Sequence, residues 1–268
     1  MVVLRRTFSF PIFHLLRRAA RRLVFDFDDA VFVHNDGSAS SRRMARFTHM
    51  VRRADQVFAG NRYLAGIATR FTPYVTVLPT TLEPEAYPLA QHKDEEHFDL
   101  VWIGSRSTAR YLSALLPVLE QAAKETPGLR LKVIADFTLE ADQLTILPIQ
   151  WSRETEAIEV RTAHVGIAPM PKDAWTLGKC GLKVLQYMAA GLPVLASTGG
   201  IHDQLVQEGV TGFLANTPAD WLEGLRRLAR APRLRATMGL NGRHRLEESY
   251  ATATVFPRMQ EILEICAK

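Results

Sequence analysis

Two lysines flank the predicted start of a short helix in the segment D-A-W-T-L-G-K-C-G-L-K-V-L-Q-Y-M-A-A-G-L-P-V. They are Lys179 and Lys183, and the helix is expected over Gly181–Ala190. A helix N-terminus binds anions through its N–H groups and dipole, and a cation placed there is unfavourable unless an anion is present. The pattern therefore predicts a diphosphate site that includes both lysines, Gly181 and Leu182. Two exposed lysines without a ligand are the alternative.

A second β–α turn, W-I-G-S-R-S-T-A-R-Y-L, has residues that suit the same chemistry. Gly104 ends an apolar strand and lets a ligand approach the backbone closely. Ser105, Ser107 and Thr108 follow it, and Ser107 or Thr108 is expected to cap the next helix. A phosphate at that helix start is one interpretation, and an ordinary capped turn is the other. The sequence contains neither G-x-x-x-x-G-K-[ST] nor G-x-G-x-x-G around this turn.

Short β-branched runs alternate with helical patterns along the chain of 268 residues. This alternation predicts an α/β protein with two doubly wound parallel sheets. A proline-rich, charged stretch ending in Gln91–His97 is the expected linker. The predicted domains are residues 1–90, with about four strands, residues 98–250, with about six, and a C-terminal helix in residues 251–268.

Charge is distributed unevenly over the chain, which has a net charge of +5. Residues 1–70 hold 13 arginines, no lysine and 5 aspartates, a net charge of +8, whereas the rest carries −3. The basic part favours an anionic partner such as a membrane surface, a phosphorylated acceptor or nucleic acid. A solvated arginine-rich helix face is the alternative. Two cysteines without a C-x-x-C motif, and no apolar run of membrane-spanning length, indicate a reducing, cytoplasmic setting.

The segment G-L-K-V-L-Q-Y-M-A-A-G-L-P-V-L-A-S, followed by D-Q-L-V-Q-E-G-V-T-G-F-L-A, closely resembles the donor-binding region of glycosyltransferase family 4. R-A-D-Q-V-F-A-G-N-R-Y-L near the start and W-L-E-G-L-R-R-L near the end are similar to other parts of that family, so the resemblance covers about residues 22–250. It implies a GT-B fold of two Rossmann-like domains and a retaining transfer from a nucleotide sugar. The nucleotide sugar is then a substrate, and neither a cofactor nor a metal is expected.

The chain departs from the family pattern at two positions that normally carry glutamates, which are Gly178 and Gln186 here. The resemblance implies that the second glutamate holds the ribose hydroxyls, and an amide can also hydrogen-bond two hydroxyls. The first domain also begins about three strands late relative to the family, so we expect it to be truncated and the acceptor site to be incomplete.

The resemblance also suggests roles for residues outside these motifs. Trp151 follows a predicted strand and is positioned to stack on the nucleobase, with core packing as the equally weighted alternative. D-F-D-D-A-V-F suggests a metal–nucleotide site by its Asp-x-Asp pattern, but GT-B enzymes do not require such a metal. We therefore expect Asp28 or Asp29 to contact an acceptor hydroxyl, or else to cap a turn.

The sequence thus predicts a glycosyltransferase in which Lys179 and Lys183 stabilise the departing diphosphate. The expected partners are a nucleotide-sugar donor and a glycan or lipid-linked acceptor, with peripheral contact at an anionic inner membrane face as a further expectation. The main alternative is a non-catalytic protein that binds a nucleotide sugar or a partner, and a GT-B-like epimerase is a third. Nucleic-acid binding rests on the arginines alone and is not expected.

Overall fold

The computed structural model describes residues 1–93 and 96–268, so Asp94 and Glu95 of the predicted linker lie outside the described residues. The strands are β1 (Val2–Leu4), β2 (Val24–Phe27), β3 (Gln56–Ala59), β4 (Val75–Val77), β5 (Phe98–Ile103), β6 (Leu129–Ala135), β7 (Thr145–Gln150), β8 (Val165–Ala168), β9 (Val194–Ser197) and β10 (Gly212–Ala215). The helices are α1 (Phe10–Ala19), α2 (Ser41–Val51), α3 (Arg62–Ala68), α4 (Ala109–Glu125), α5 (Glu156–Arg161), α6 (Leu182–Ala189), α7 (His202–Leu205), α8 (Pro218–Arg230), α9 (Pro232–Ser249) and α10 (Thr252–Ala267). Two single 3-10 turns lie at Pro84–Ala86 and Thr176–Gly178.

The chain forms two compact units, each built around a parallel sheet. Unit 1 comprises Met1–Thr81, Lys172–Cys180 and Thr252–Lys268, and unit 2 comprises Leu82–Pro171 and Gly181–Ala251. Helix α10 and a short segment between β8 and α6 thus belong to the unit that holds the N-terminus. The predicted α/β class with two parallel sheets is confirmed.

Unit 1 has a four-stranded sheet in the order β1-β2-β3-β4, in which every neighbouring pair is parallel. Its core is aromatic: Phe25 and Phe27 on β2 stack with ring centroids 5.2 Å apart, and Phe47 of α2 packs against both. Cys180 is part of the same core although it is more than 100 residues distant in sequence. The segment Lys172–Cys180 is therefore held in unit 1 by burial of its own apolar side chains.

Unit 2 has a six-stranded parallel sheet in the order β10-β9-β8-β5-β6-β7. The direction of strand addition reverses at β5, which pairs with β6 on one side and with β8 on the other. Alternate residues of β5 enter two different cores: Trp102 faces the α4 and α8 side, and Val101 and Ile103 face the α6 side. In such sheets the loops that follow the strands flanking the reversal diverge, which leaves a crevice at the carboxyl edge.

Helix α6 is shorter than predicted because Gly181 is not helical. It occupies the N-cap position with φ 73°, in the left-handed region where a side chain is disfavoured. Any Cβ there would also lie 2.5 Å from the Leu205 side chain. The helix ends at Ala189, and Gly191 (φ 68°) follows as the predicted terminating glycine. The helix N-terminus is thus fixed by local backbone geometry.

None of the helices in residues 1–93 and 96–268 is both long and apolar enough to cross a membrane.

Candidate functional site

A pocket of about 650 Å³ opens in unit 2 at the carboxyl edge of its sheet. It lies where β5 ends and α4 and α6 begin, beside the crevice that the strand order predicts. Its lining residues are Ile103, Gly104, Ser105, Thr108, Asp136, Trp151, Glu156, Leu182, Lys183 and Gln186. Seven of these ten are residues that the sequence singled out.

Local hydrogen bonds hold the turn after β5 in place. The Thr108 hydroxyl donates to the Ser105 carbonyl at 3.0 Å, and the Ser105 N–H donates to the Thr108 hydroxyl oxygen at 3.4 Å. The Ser105 and Ser107 hydroxyl oxygens lie 2.8 Å apart. Thr108 occupies the N-cap position of α4 without making a side-chain cap bond, which leaves the first N–H groups of that helix without a side-chain acceptor at the cap.

Lys183 lies over the face of the buried Trp102 ring, with its ammonium nitrogen 4.3 Å from the ring centroid. A cation–π contact offsets part of the cost of a cation in the first turn of α6. A Cβ on Gly104 would lie only 2.4 Å from the Trp102 ring. Glycine is thus required at 104 by the packing of Trp102, in addition to the ligand approach that the sequence suggested.

Trp151 and Gln186 form the other end of the pocket. The Trp151 side chain is 48% exposed, so the core-packing interpretation is wrong, and its indole N–H donates to Glu156 Oε2 at 2.6 Å. Gln186 is buried, and its amide nitrogen donates to Glu156 Oε1 at 2.7 Å and to the Tyr87 hydroxyl at 3.2 Å. Glu156 was missed by the sequence analysis, because a glutamate in the first turn of a short helix is ordinary.

Lys179 belongs to unit 1, unlike Lys183. Its ammonium pairs with Asp29 Oδ1 at 2.7 Å and lies 4.3 Å from the Trp175 ring centroid. The Asn61 side-chain amide donates to the backbone carbonyl oxygens of Leu177 and Lys179 at 3.1 and 2.9 Å. The structure therefore divides the two lysines between the units, and Lys179 is engaged by a carboxylate that the sequence assigned to the acceptor side.

Gly178 is tightly enclosed in unit 1. A Cβ at this position would lie 2.6 Å from Ala30 Cβ and 2.7 Å from the Ala30 backbone nitrogen. Because backbone atoms cannot move aside cheaply, position 178 has no space for a side chain.

A second pocket, of about 320 Å³, lies within unit 1 and includes Asp28. Arg5, another lining residue that sequence reasoning missed, pairs with Asp28 Oδ2 at 2.6 Å and has a left-handed backbone at φ 58°, unusual for a non-glycine residue. Burial raises the pKa of Asp28, and Arg5 lowers it in part. Asp28 Oδ1 is buried without a hydrogen-bond partner in the described part of the chain. Asp29 is not among the lining residues.

The sequence matches the family model described as "Glycosyl transferases group 1" over residues 84–231, which is more than half of the chain. The chain belongs to this glycosyltransferase family. Of curated relatives, human alpha-1,3/1,6-mannosyltransferase ALG2 is 36% identical over 72 residues, which cover 26% of this chain and 17% of ALG2. Sulfoquinovosyl transferase SQD2 of Arabidopsis thaliana is 32% identical over 142 residues, which cover 50% of this chain and 27% of SQD2. The chain therefore spans only a small part of the relatives it matches.

The GT-B fold is confirmed by solved structures. Anabaena Alr3699/HepE, solved in complex with UDP and glucose, superposes with a TM-score of 0.74 at 15% identity and covers 98% of this chain and 77% of that one. At this identity the likeness establishes the fold alone and assigns no role to any residue of this chain.

The packing around Gly178 gives a physical reason for the absence of the first glutamate that the resemblance implies. The chain has glycine at 178 because Ala30 fills the space that a side chain would need. The described residues contain no group of three or more His, Cys, Asp or Glu side chains that could hold a metal ion.

We expect Gly178→Ala to lower the free energy of unfolding by about 1–3 kcal/mol through overpacking, and Gly178→Glu to lower it further. Gly66→Ala is the matched control, because Gly66 lies in α3 of the same unit with nothing within 4 Å of an added Cβ. The control should be neutral or stabilising by up to about 1 kcal/mol. Urea melts of the three variants measure this, and equal stability of Gly178→Ala and wild type would contradict the steric explanation.

His202, the first residue of α7, predicts that the stability of the fold is sensitive to acid. Its Nδ1–H donates to the Ser197 carbonyl at 2.9 Å. Burial, partly offset by that hydrogen bond and aided by the Lys183 charge, lowers the pKa of His202 from 6.5 to about 4. The unfolded chain binds a proton near pH 6.5 and the folded chain only near pH 4, so acid favours unfolding. Stability should be complete above pH 6.5 and fall by about 3 kcal/mol as the pH drops to 4.

Denaturant melts between pH 4 and 7.5 measure this loss, and His202→Gln, which keeps a donor near Ser197, should flatten the profile in that window. An unchanged pH dependence in the variant would assign the acid sensitivity to other groups.

Proposed function

We propose that this chain binds a nucleotide-sugar donor in the unit 2 pocket and transfers the sugar to an acceptor. One observation carries the proposal: residues chosen from sequence motifs far apart in the chain line a single pocket. They are Gly104, Ser105, Thr108, Trp151, Leu182, Lys183 and Gln186. Motifs that matched by chance would not be expected to meet at the edge of one sheet, in the crevice beside its strand reversal.

The chemistry of the pocket suits an extended, anionic ligand. One end offers the first turns of α4 and α6 together with Lys183, which suit a diphosphate. The other end offers an exposed indole and the Gln186 amide, which suit a base and its ribose. The sugar–phosphate bond would break as positive charge and helix N–H groups stabilise the departing diphosphate, so the chain needs no covalent nucleophile. Transfer with retention remains part of the proposal on the family resemblance.

Two further assignments belong to the proposal. Lys179 can assist the diphosphate only if its ion pair with Asp29 opens or is shared, since that carboxylate holds its ammonium at 2.7 Å. On the acceptor side, the free buried oxygen of Asp28 suits a glycan or lipid-linked hydroxyl. The basic residues of the first 70 positions suit peripheral contact with an anionic membrane at the cytoplasmic face.

We expect Lys183→Met to reduce UDP affinity about 10- to 100-fold, because it removes a charge-assisted contact to phosphate and keeps an apolar side chain over Trp102. Affinity for uridine, which lacks phosphate, should not change. Lys124→Met, an exposed lysine at the end of α4, is the matched control. Titration calorimetry with both ligands measures this, and an equal loss for UDP and uridine would show that the phosphate end is misplaced.

The glycosyltransferase hypothesis and the non-catalytic alternative differ in whether this chain transfers a sugar. We expect the purified full chain to transfer label from a radiolabelled UDP- or GDP-sugar to a glycan or lipid-linked acceptor, and Lys183→Met to lower the rate. Binding of UDP or GDP with no transfer for any acceptor would favour the non-catalytic alternative. A converted sugar nucleotide without acceptor would favour an epimerase. Absence of both binding and turnover would overturn the donor-site proposal.

A further inference from the structure

Glu156 is the centre of a polar cluster that no family motif explains. The Tyr87 hydroxyl donates to its Oε1 at 2.5 Å, and the Gln186 amide nitrogen donates to the same oxygen at 2.7 Å. The Trp151 indole N–H donates to its Oε2 at 2.6 Å. These four side chains come from the 3-10 turn region, the end of β7, the start of α5 and the middle of α6. One carboxylate thus fixes three side chains, two of which line the pocket with it.

The direction of every hydrogen bond in the cluster follows from which atoms carry hydrogens. An ionised carboxylate only accepts, so each neighbour must face it with a hydrogen. The single hydroxyl hydrogen of Tyr87 points to Glu156, and its oxygen therefore accepts from Gln186 at 3.2 Å. Both amide hydrogens of Gln186 are then used. Burial and the bond to Glu156 raise the pKa of Tyr87, which keeps its hydroxyl protonated.

The remaining polar atom of Gln186 is Oε1, which accepts no hydrogen bond from the described residues. The opposite amide orientation would point Oε1 at the carboxylate and place two acceptors against each other, which is unfavourable. The network therefore makes Gln186 an acceptor toward the pocket. A glutamate at position 186 could only accept hydrogen bonds from a ligand. Gln186, with both amide hydrogens used, likewise offers a ligand only an acceptor, but it carries no charge.

We propose that Glu156 is a positioning residue of the donor site, which carries the negative charge absent from position 186 and orients Gln186 to accept from the ribose hydroxyls of the nucleotide. The same carboxylate fixes the Trp151 indole against the base. This inference rests on the proposed donor site. It also explains why glutamine stands at 186: a second carboxylate would lie about 2.7 Å from Glu156, where two charges repel strongly.

Exchange of the carboxylate and the amide between positions 156 and 186 tests the Glu156–Gln186 contact without any ligand. Glu156→Gln and Gln186→Glu are measured singly and together, with Glu159→Gln on the same helix as the matched control. We expect each single change to lower the melting temperature and the double variant to recover most of the loss, because it restores one carboxylate and one amide at the same contact. Additive losses in the double variant would overturn the pairing.

Binding of uridine and guanosine diphosphates and of their 2′,3′-dideoxy forms tests the role in recognition. Wild type and Glu159→Gln should prefer the nucleotide with hydroxyls about tenfold, Glu156→Gln should lose that preference, and the double variant should regain it. A preserved preference in Glu156→Gln, with only stability changed, would show a merely structural role while the donor site stands. If wild type binds none of these nucleotides, the donor site itself fails, and the recognition role fails with it.

Discussion

The parallel arrangement of all six strands in unit 2 is the constraint on which the site depends. Parallel strands end at the same edge of a sheet, so the turns after β5 and β7 and the start of α6 are brought to one side. The reversal of strand order at β5 then separates the flanking loops and opens the crevice there. This topology brings residues from separate motifs, between positions 103 and 186, into one pocket.

Much of this architecture was predictable from the sequence, and the reason is physical. The predicted alternation of strands and helices is observed, since buried parallel strands such as β5 are marked by continuous apolar stretches. Element ends were less predictable. Helix α6 begins at Leu182, one residue later than expected, because Gly181 has a left-handed backbone at the N-cap position. Local signals thus fix the type of an element more firmly than its boundaries.

Long-range partners could not be predicted in the same way. Lys179 and Lys183 are four residues apart and seemed to serve one helix start, yet Asn61 and Asp29 hold the first of them in unit 1. Glu156 has an ordinary local context, and its importance depends on Tyr87, 69 residues earlier in the chain. The sequence shows only that an amide at 186 can still bind hydroxyls, whereas the structure shows that this amide donates to the carboxylate of Glu156.

The charged end of the pocket shows the same coupling between packing and function. Lys183 stands in the first turn of α6, where the helix dipole opposes a cation, and the Trp102 face beneath it supplies part of the compensation. Trp102 can occupy that place only because residue 104 has no side chain. The position of the Lys183 ammonium therefore depends on Trp102, and the position of Trp102 depends on the glycine at 104. An anion bound between the two helix starts, as proposed for the donor diphosphate, would add to the stabilisation that the ring gives to the Lys183 charge.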